Sequence, residues 1–124
     1  MAEKKELEGI KFDSGKPRWG LLPFREVREV VDVLTFGAQK YTDDNWQNVR
    51  PTNRYIDAAF RHITAWLTGE KKDAESGISH LAHAICCLLF LMWFDNEDKK
   101  SNIQKGEEEF EYPFLSILLW VHKK

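Results

Sequence analysis

Two histidines three residues apart, His80 and His83, open the most apolar stretch of the chain, and the turn before them, GEKKDAESG, carries Asp73 and Glu75. At helical spacing, residues i and i+3 share a face, so two imidazoles placed this way can grip one cation. Either histidine alone suits a hydrogen-bonded core position better than a metal site, whereas for the pair beside Asp73 and Glu75 both roles stay open. A second pair, Glu29 and Asp32, repeats the i, i+3 spacing with carboxylates. They either aim at one spot or, with Glu26, form a solvated acidic face. Arg54 and Arg61 fall on one face of another segment, with Asp57 between them and His62 and Trp66 at i, i+4. An ordinary ion-pair row has the same pattern.

Helices must position these groups. Pro23 suits the first turn of a helix over residues 23–41, with Val27, Val30, Val31, Leu34 and Ala38 as its apolar face. Gly37 inside it implies close packing or a local break. The following TDDNWQNVRPT reads as a loop in which Trp46, beside Asn45, either plugs the core or stacks on a ligand. Thr52 or Asn53 caps the next helix, which ends near Thr68 with Gly69 as its stop and Glu70 in the turn. Asp73, Glu75 and Ser76 are cap candidates for the apolar central helix, which runs from about Ile78 to Asp95 and holds Cys86 and Cys87 as buried thiols.

Residues 1–9 read as a disordered N-terminus. Residues 10–22 form a short extended arm anchored by Ile10, Phe12 and Trp19, with Lys16 and Arg18 either solvated or phosphate-facing. Residues 10–95 are then a single helical domain. Residues 96–124 comprise a polar connection and an apolar tail, which docks on the bundle or at a subunit interface. Three helices make a thin bundle, so a homo-oligomer, dimer, tetramer or higher, is expected to complete it.

The 124 residues carry a formal net charge of -2, with basic residues interspersed among acids, which argues against a nucleic-acid polymer as partner. The apolar run is shorter than the roughly 20 residues of a membrane span. The charged start lacks a signal-peptide core, so a cytoplasmic location is expected, the host cytoplasm if the gene is a phage's.

In this order, GKPRWGLLP, FGAQKYTDDNW and RHITAWLTGEKKDAESGISHLAHA resemble the phage and bacterial dATP/dGTP diphosphohydrolase family, a MazG-like branch of the all-alpha NTP pyrophosphohydrolases. The resemblance spans about residues 10–95. It implies an all-α, MazG-like helical bundle and a metal-dependent enzyme that splits a purine (deoxy)nucleoside triphosphate into monophosphate and pyrophosphate. It further implies that Glu29 and Asp32 match the superfamily's first acidic metal-binding pair, and that His80 and His83 stand where the second is expected. Histidine ligands widen the choice of ion from magnesium or manganese to cobalt or zinc.

Physical reasoning alongside the resemblance assigns phosphate charge to the metal and to Lys40, Arg54 and Arg61. Glu29, Asp73 and Glu75 are the candidate bases for an attacking water. Trp46, Asn45 and Trp66 are the candidates for stacking on and bonding a purine, with His62 beside them in the nucleotide-binding set. The competing function is a non-catalytic sponge that sequesters a cyclic or ADP-ribose-derived nucleotide signal, as an anti-defence protein would. That role needs an enclosed arginine-lined pocket but no acidic pair. A purely structural helical oligomer ranks last, because it leaves the charged turn without purpose.

Overall fold

The computed structural model describes residues 8–105, with side chains to residue 98. It contains α1 (Phe24–Lys40), α2 (Asn53–Leu67) and α3 (His80–Lys105), with short 3-10 turns at Trp19–Leu21 and Asn45–Asn48. Among the described residues there is no strand, only an isolated antiparallel bridge between Lys72 and Ser79. The all-α expectation therefore holds. No helix among the described residues is long and apolar enough to cross a membrane.

The helix ends follow local chemistry. Pro23 precedes α1, where its missing N–H costs nothing. At the end of α2, Gly69 takes φ 103°; its N–H donates to Trp66 O, and the Glu70 N–H donates to Ala65 O. This is a Schellman closure that a β-carbon would strain. Ser79 Oγ accepts the Leu81 N–H at 3.1 Å and so caps α3. Asp73, a cap candidate from the sequence, instead closes its own turn: Oδ1 accepts the N–H groups of Glu75 and Ser76, both at 2.9 Å. α3 then continues through the charged residues 96–105, read above as a connection. Glu, Lys and Gln are good helix formers, and no proline or glycine interrupts them. The apolar tail lies outside the described residues.

α3 is the axis on which the other helices pack. Both run antiparallel to it. On α1, Val30 O accepts from Cys86 Sγ at 3.4 Å, while Lys40 reaches Glu75 just ahead of α3. On α2, Tyr55 meets Phe90 and Phe94, and His62 meets His80 and His83. Since α1 and α2 run the same way, the loop over residues 41–52 must travel back along the bundle. Midway it lays Trp46 flat on Phe90, with centroids 4.3 Å apart, and edge-on to Trp93 and Phe94. Trp46 is thus a plug, and the gap between this loop, α1 and α2 is the cavity described below.

The core at α3 is built from small residues, Ala82, Ala84, Cys86 and Cys87, together with Phe94. They allow close helix approach. Burial raises the thiols of Cys86 to about 12 and Cys87 to about 11, which keeps them protonated as expected of core cysteines. The opposite face of α3, with Leu81, Ile85, Leu88 and Met92 at i, i+4, i+7 and i+11, is exposed in the single chain. So are Ile10, Phe12 and Trp19 of the arm, which do not anchor it to this chain's own core. Gly37 neither breaks α1 nor packs closely: a β-carbon there would meet nothing within 4 Å, because the residue borders the cavity.

Candidate functional site

The cavity has a volume of about 810 Å³, within the range of small-molecule sites. α1 contributes Val33, Gly37 and Lys40; the crossing loop contributes Asp43, Asp44, Asn45 and Trp46; α2 contributes Arg54, Tyr55, Arg61 and His62. The turn before α3 adds Asp73 and Glu75, and α3 adds His83 and Phe90. Its base is aromatic and its walls are charged. Lys40, Arg54 and Arg61 oppose Asp43, Asp44, Asp73 and Glu75, so three basic and four acidic side chains leave it one unit negative with neutral histidines.

Lys40 Nζ lies 2.7 Å from Glu75 Oε1, which raises the pKa of the ammonium. Asp73 is opposed by burial, but N–H donors from Ser76 and Glu75, helped by the field of His83, bring its net pKa below the ordinary value and keep it ionised. Tyr55 donates to Trp46 O at 3.3 Å, and burial raises its hydroxyl to about 12. The loop is therefore bonded as well as packed to α2.

Three histidines meet beneath this wall. His62 Nδ1 is 2.8 Å from His80 Nδ1, and its ring stacks on His83 with centroids 4.6 Å apart and planes 11° apart. His80 is buried at 5% exposure, and its Nε2 lies 3.1 Å from Glu70 Oε2. His83 Nε2 sits 2.7 Å from Ser76 Oγ. Ligand atoms of His62, Asp73 and His80 all fall within 4.8 Å of one another. Two nitrogen donors and a carboxylate suit a divalent transition ion such as cobalt or zinc better than magnesium; of the four metal ligands that the resemblance implies, only His80 belongs to this trio.

The residues singled out from sequence thus divide. Lys40, Asn45, Trp46, Arg54, Arg61, His62, Asp73, Glu75 and His83 come together at the cavity. His80 lies behind His62, inside the fold. Glu29 and Asp32 are half-buried on α1 outside the residues that line the cavity, and Asp32 pairs with Arg28 at 3.3 Å. Lys16 and Arg18 are exposed on the arm, away from the lining. Trp66 is also outside it and carries Lys71 over its ring at 4.1 Å, while His62 stacks on His83 in place of Trp66. Glu70, Ser76 and Tyr55 were not among the expected site residues. Only the proximity of Glu70 and Ser76 to the histidines in the chain could have signalled them.

Burial, aided by neighbouring histidines, lowers the pKa of His62 below the ordinary 6.5, and burial also lowers that of His83 despite the nearby Asp73. The unfolded chain therefore takes up protons at these positions before the folded one does. Folding stability should fall as pH drops through about 6.5, and should level off once the folded-state histidines also titrate. Thermal melts between pH 8 and pH 5 should show this slope, and His62→Gln should flatten it; equal slopes in both proteins would contradict the assignment.

Arg54, Arg61 and His62 of α2 thus share one cavity lining with Asp43, Asp44, Asp73, Glu75 and His83, between helices of an all-α chain. The family model described as dATP/dGTP diphosphohydrolase, N-terminal, matches residues 6–104, and the chain belongs to that family. It is 38% identical over 96 residues to a dATP/dGTP diphosphohydrolase of Salmonella phage PMBT28. The match covers 77% of this chain and 33% of that protein, so the chain spans about a third of its relative's length. No solved structure matches the chain.

Proposed function

We propose that the chain forms the nucleotide-handling helical unit of a nucleoside triphosphate pyrophosphohydrolase acting on purine deoxynucleotides. The observation that carries this reading is the cavity itself: Arg54, Arg61, Asp73 and Glu75 line one nucleotide-sized space, in a segment matched by the family. The base would rest against Trp46 with Asn45 at its edge. The triphosphate would meet Lys40, Arg54 and Arg61.

The charge balance supports metal dependence. A cavity one unit negative repels a polyanionic triphosphate unless a cation enters with it. A bound divalent ion would neutralise phosphate charge and acidify a water molecule. The chain's own residues do the rest. Phosphate binding at Lys40 competes with its pair to Glu75 and so releases that carboxylate to accept a proton from water. Arg54 and Arg61 stabilise the charge that builds on the departing pyrophosphate. In the same reading, a second copy of the chain covers the exposed stripe of Leu81, Ile85, Leu88 and Met92.

The test is calorimetric binding of a dGTP analogue with a methylene bridge between its α and β phosphates, with and without manganese. Binding should require the ion, and Arg61→Ala should weaken it by roughly 10- to 100-fold, the range expected for a charged hydrogen bond. Metal-independent binding, unaffected by Arg61→Ala, would contradict the assignment.

A further inference from the structure

The i, i+3 pair His80 and His83 does not present two nitrogens to one point. His83 Nε2 is engaged by Ser76 Oγ at 2.7 Å, while His80 turns its Nδ1 to a histidine of the neighbouring helix, His62 Nδ1, at 2.8 Å. Two imidazole nitrogens facing each other at this distance bond only if one keeps its proton and the other does not. The far nitrogen of His80 decides which. Its Nε2 lies 3.1 Å from the carboxylate of Glu70, an acceptor, so the ring holds its proton there and turns a lone pair toward His62.

Asp73 completes the arrangement. Its Oδ1 is occupied by two backbone donors, which fix the side chain and leave the second oxygen outside those bonds. It is therefore an anchored carboxylate, unlike a loose surface acid, and its ligand atom lies within 4.8 Å of those of His62 and His80.

We infer that His62, Asp73 and His80 form a transition-metal centre bridging α2, the connecting turn and α3, with Glu70 as the outer carboxylate that orients His80. Bonds of about 2.0–2.1 Å to a tetrahedral ion would separate two nitrogens by roughly 3.3 Å, so the facing rings need only part by about half an ångström, while the proton that His62 holds on Nδ1 passes to its Nε2 by exchange with solvent and frees the lone pair for the ion. Glu70 to His80 to metal is the carboxylate–histidine relay that fixes a ligating ring's tautomer. A centre with three protein ligands keeps a coordination position for water or phosphate. The side facing the cavity is where His62 and Asp73 lie. The inference supplies the ion required by the functional reading above, but its test is metal binding itself.

Chelator-stripped protein titrated with cobalt(II) and zinc(II), followed by the cobalt visible spectrum and by calorimetry, should bind one ion per chain with low-coordinate cobalt bands, and bind magnesium far more weakly. His62→Asn should cost on the order of 100-fold in affinity and remove the bands, and Glu70→Gln about 10- to 100-fold. His83→Asn should change affinity only a few-fold. Circular dichroism melts establish that each variant is folded, and Glu70→Gln, at a largely exposed side chain, provides the arm least exposed to misfolding. Full retention of cobalt affinity in folded His62→Asn and Glu70→Gln, or its loss in His83→Asn alone, would overturn the centre. One ion bound by the trio in a protein that turns over no nucleotide would leave the centre standing and overturn the catalytic reading. Efficient hydrolysis by His62→Asn would do the reverse.

Discussion

Asp73→Asn should reduce nucleotide turnover by about 10²- to 10⁴-fold, the scale of losing an essential charge beside a metal or a proton acceptor. Asparagine retains the oxygen that accepts the N–H groups of Glu75 and Ser76, so the turn should survive and the melting temperature should change by only a few degrees. Because the lost group is a charge in a folded protein, the fall should appear mainly in kcat when metal is saturating. Glu29→Gln is the informative companion. Its spacing with Asp32 makes it a metal-ligand candidate, yet it lies on α1 outside the residues that line the cavity. Steady-state kinetics on both variants should rank Asp73 far above Glu29. A Glu29 effect as large as that of Asp73 would instead restore the acidic pair on α1 to the centre of the reaction.

Trp46→Ala should destabilise the fold by about 3–5 kcal/mol, as removal of a large aromatic from a packed cluster does. The indole covers Phe90 and meets the edges of Trp93 and Phe94, and Tyr55 bonds the carbonyl of the same residue. For a domain of about 100 residues, this corresponds to a fall in melting temperature on the order of 15 °C or more. The crossing loop forms one wall of the cavity, so its release should also raise KM. Trp46→Phe, which keeps a ring on Phe90, should recover most of the stability. A drop in nucleotide affinity with an unchanged melt would show that the indole serves the ligand alone and does not hold the loop.

Much of the fold was legible because its helix signals are local. Pro23, Asn53, the glycine at 69 and the apolar periodicity of residues 27–38 act within one or two turns of where they stand, and the boundaries of α1 and α2 fall within one residue of expectation. The site was legible only in its residue types. Spacing states which side chains share one helix face, but it is silent on the helix that packs against them. The i, i+4 spacing accordingly groups His62 with Trp66, whereas His62 meets His80 and His83 across the interface. Glu70 looked like a turn residue because its contact with His80 depends on the chain reversal between them. In α3, large apolar residues suggest the core, yet two antiparallel neighbours select the small face of Ala82 and Cys86. That selection leaves Leu88 and Met92 exposed.

The central claim is that this cavity hydrolyses a nucleoside triphosphate. Its most direct test is ion-exchange analysis of products after incubating the protein with the four deoxynucleoside triphosphates and either magnesium, manganese or cobalt. Monophosphate and pyrophosphate are expected in equal amounts, fastest from dGTP or dATP, dependent on the ion and abolished by chelator. Recovery of every nucleotide intact with each metal would contradict it, and intact nucleotide retained by the protein would identify a binding module in place of an enzyme.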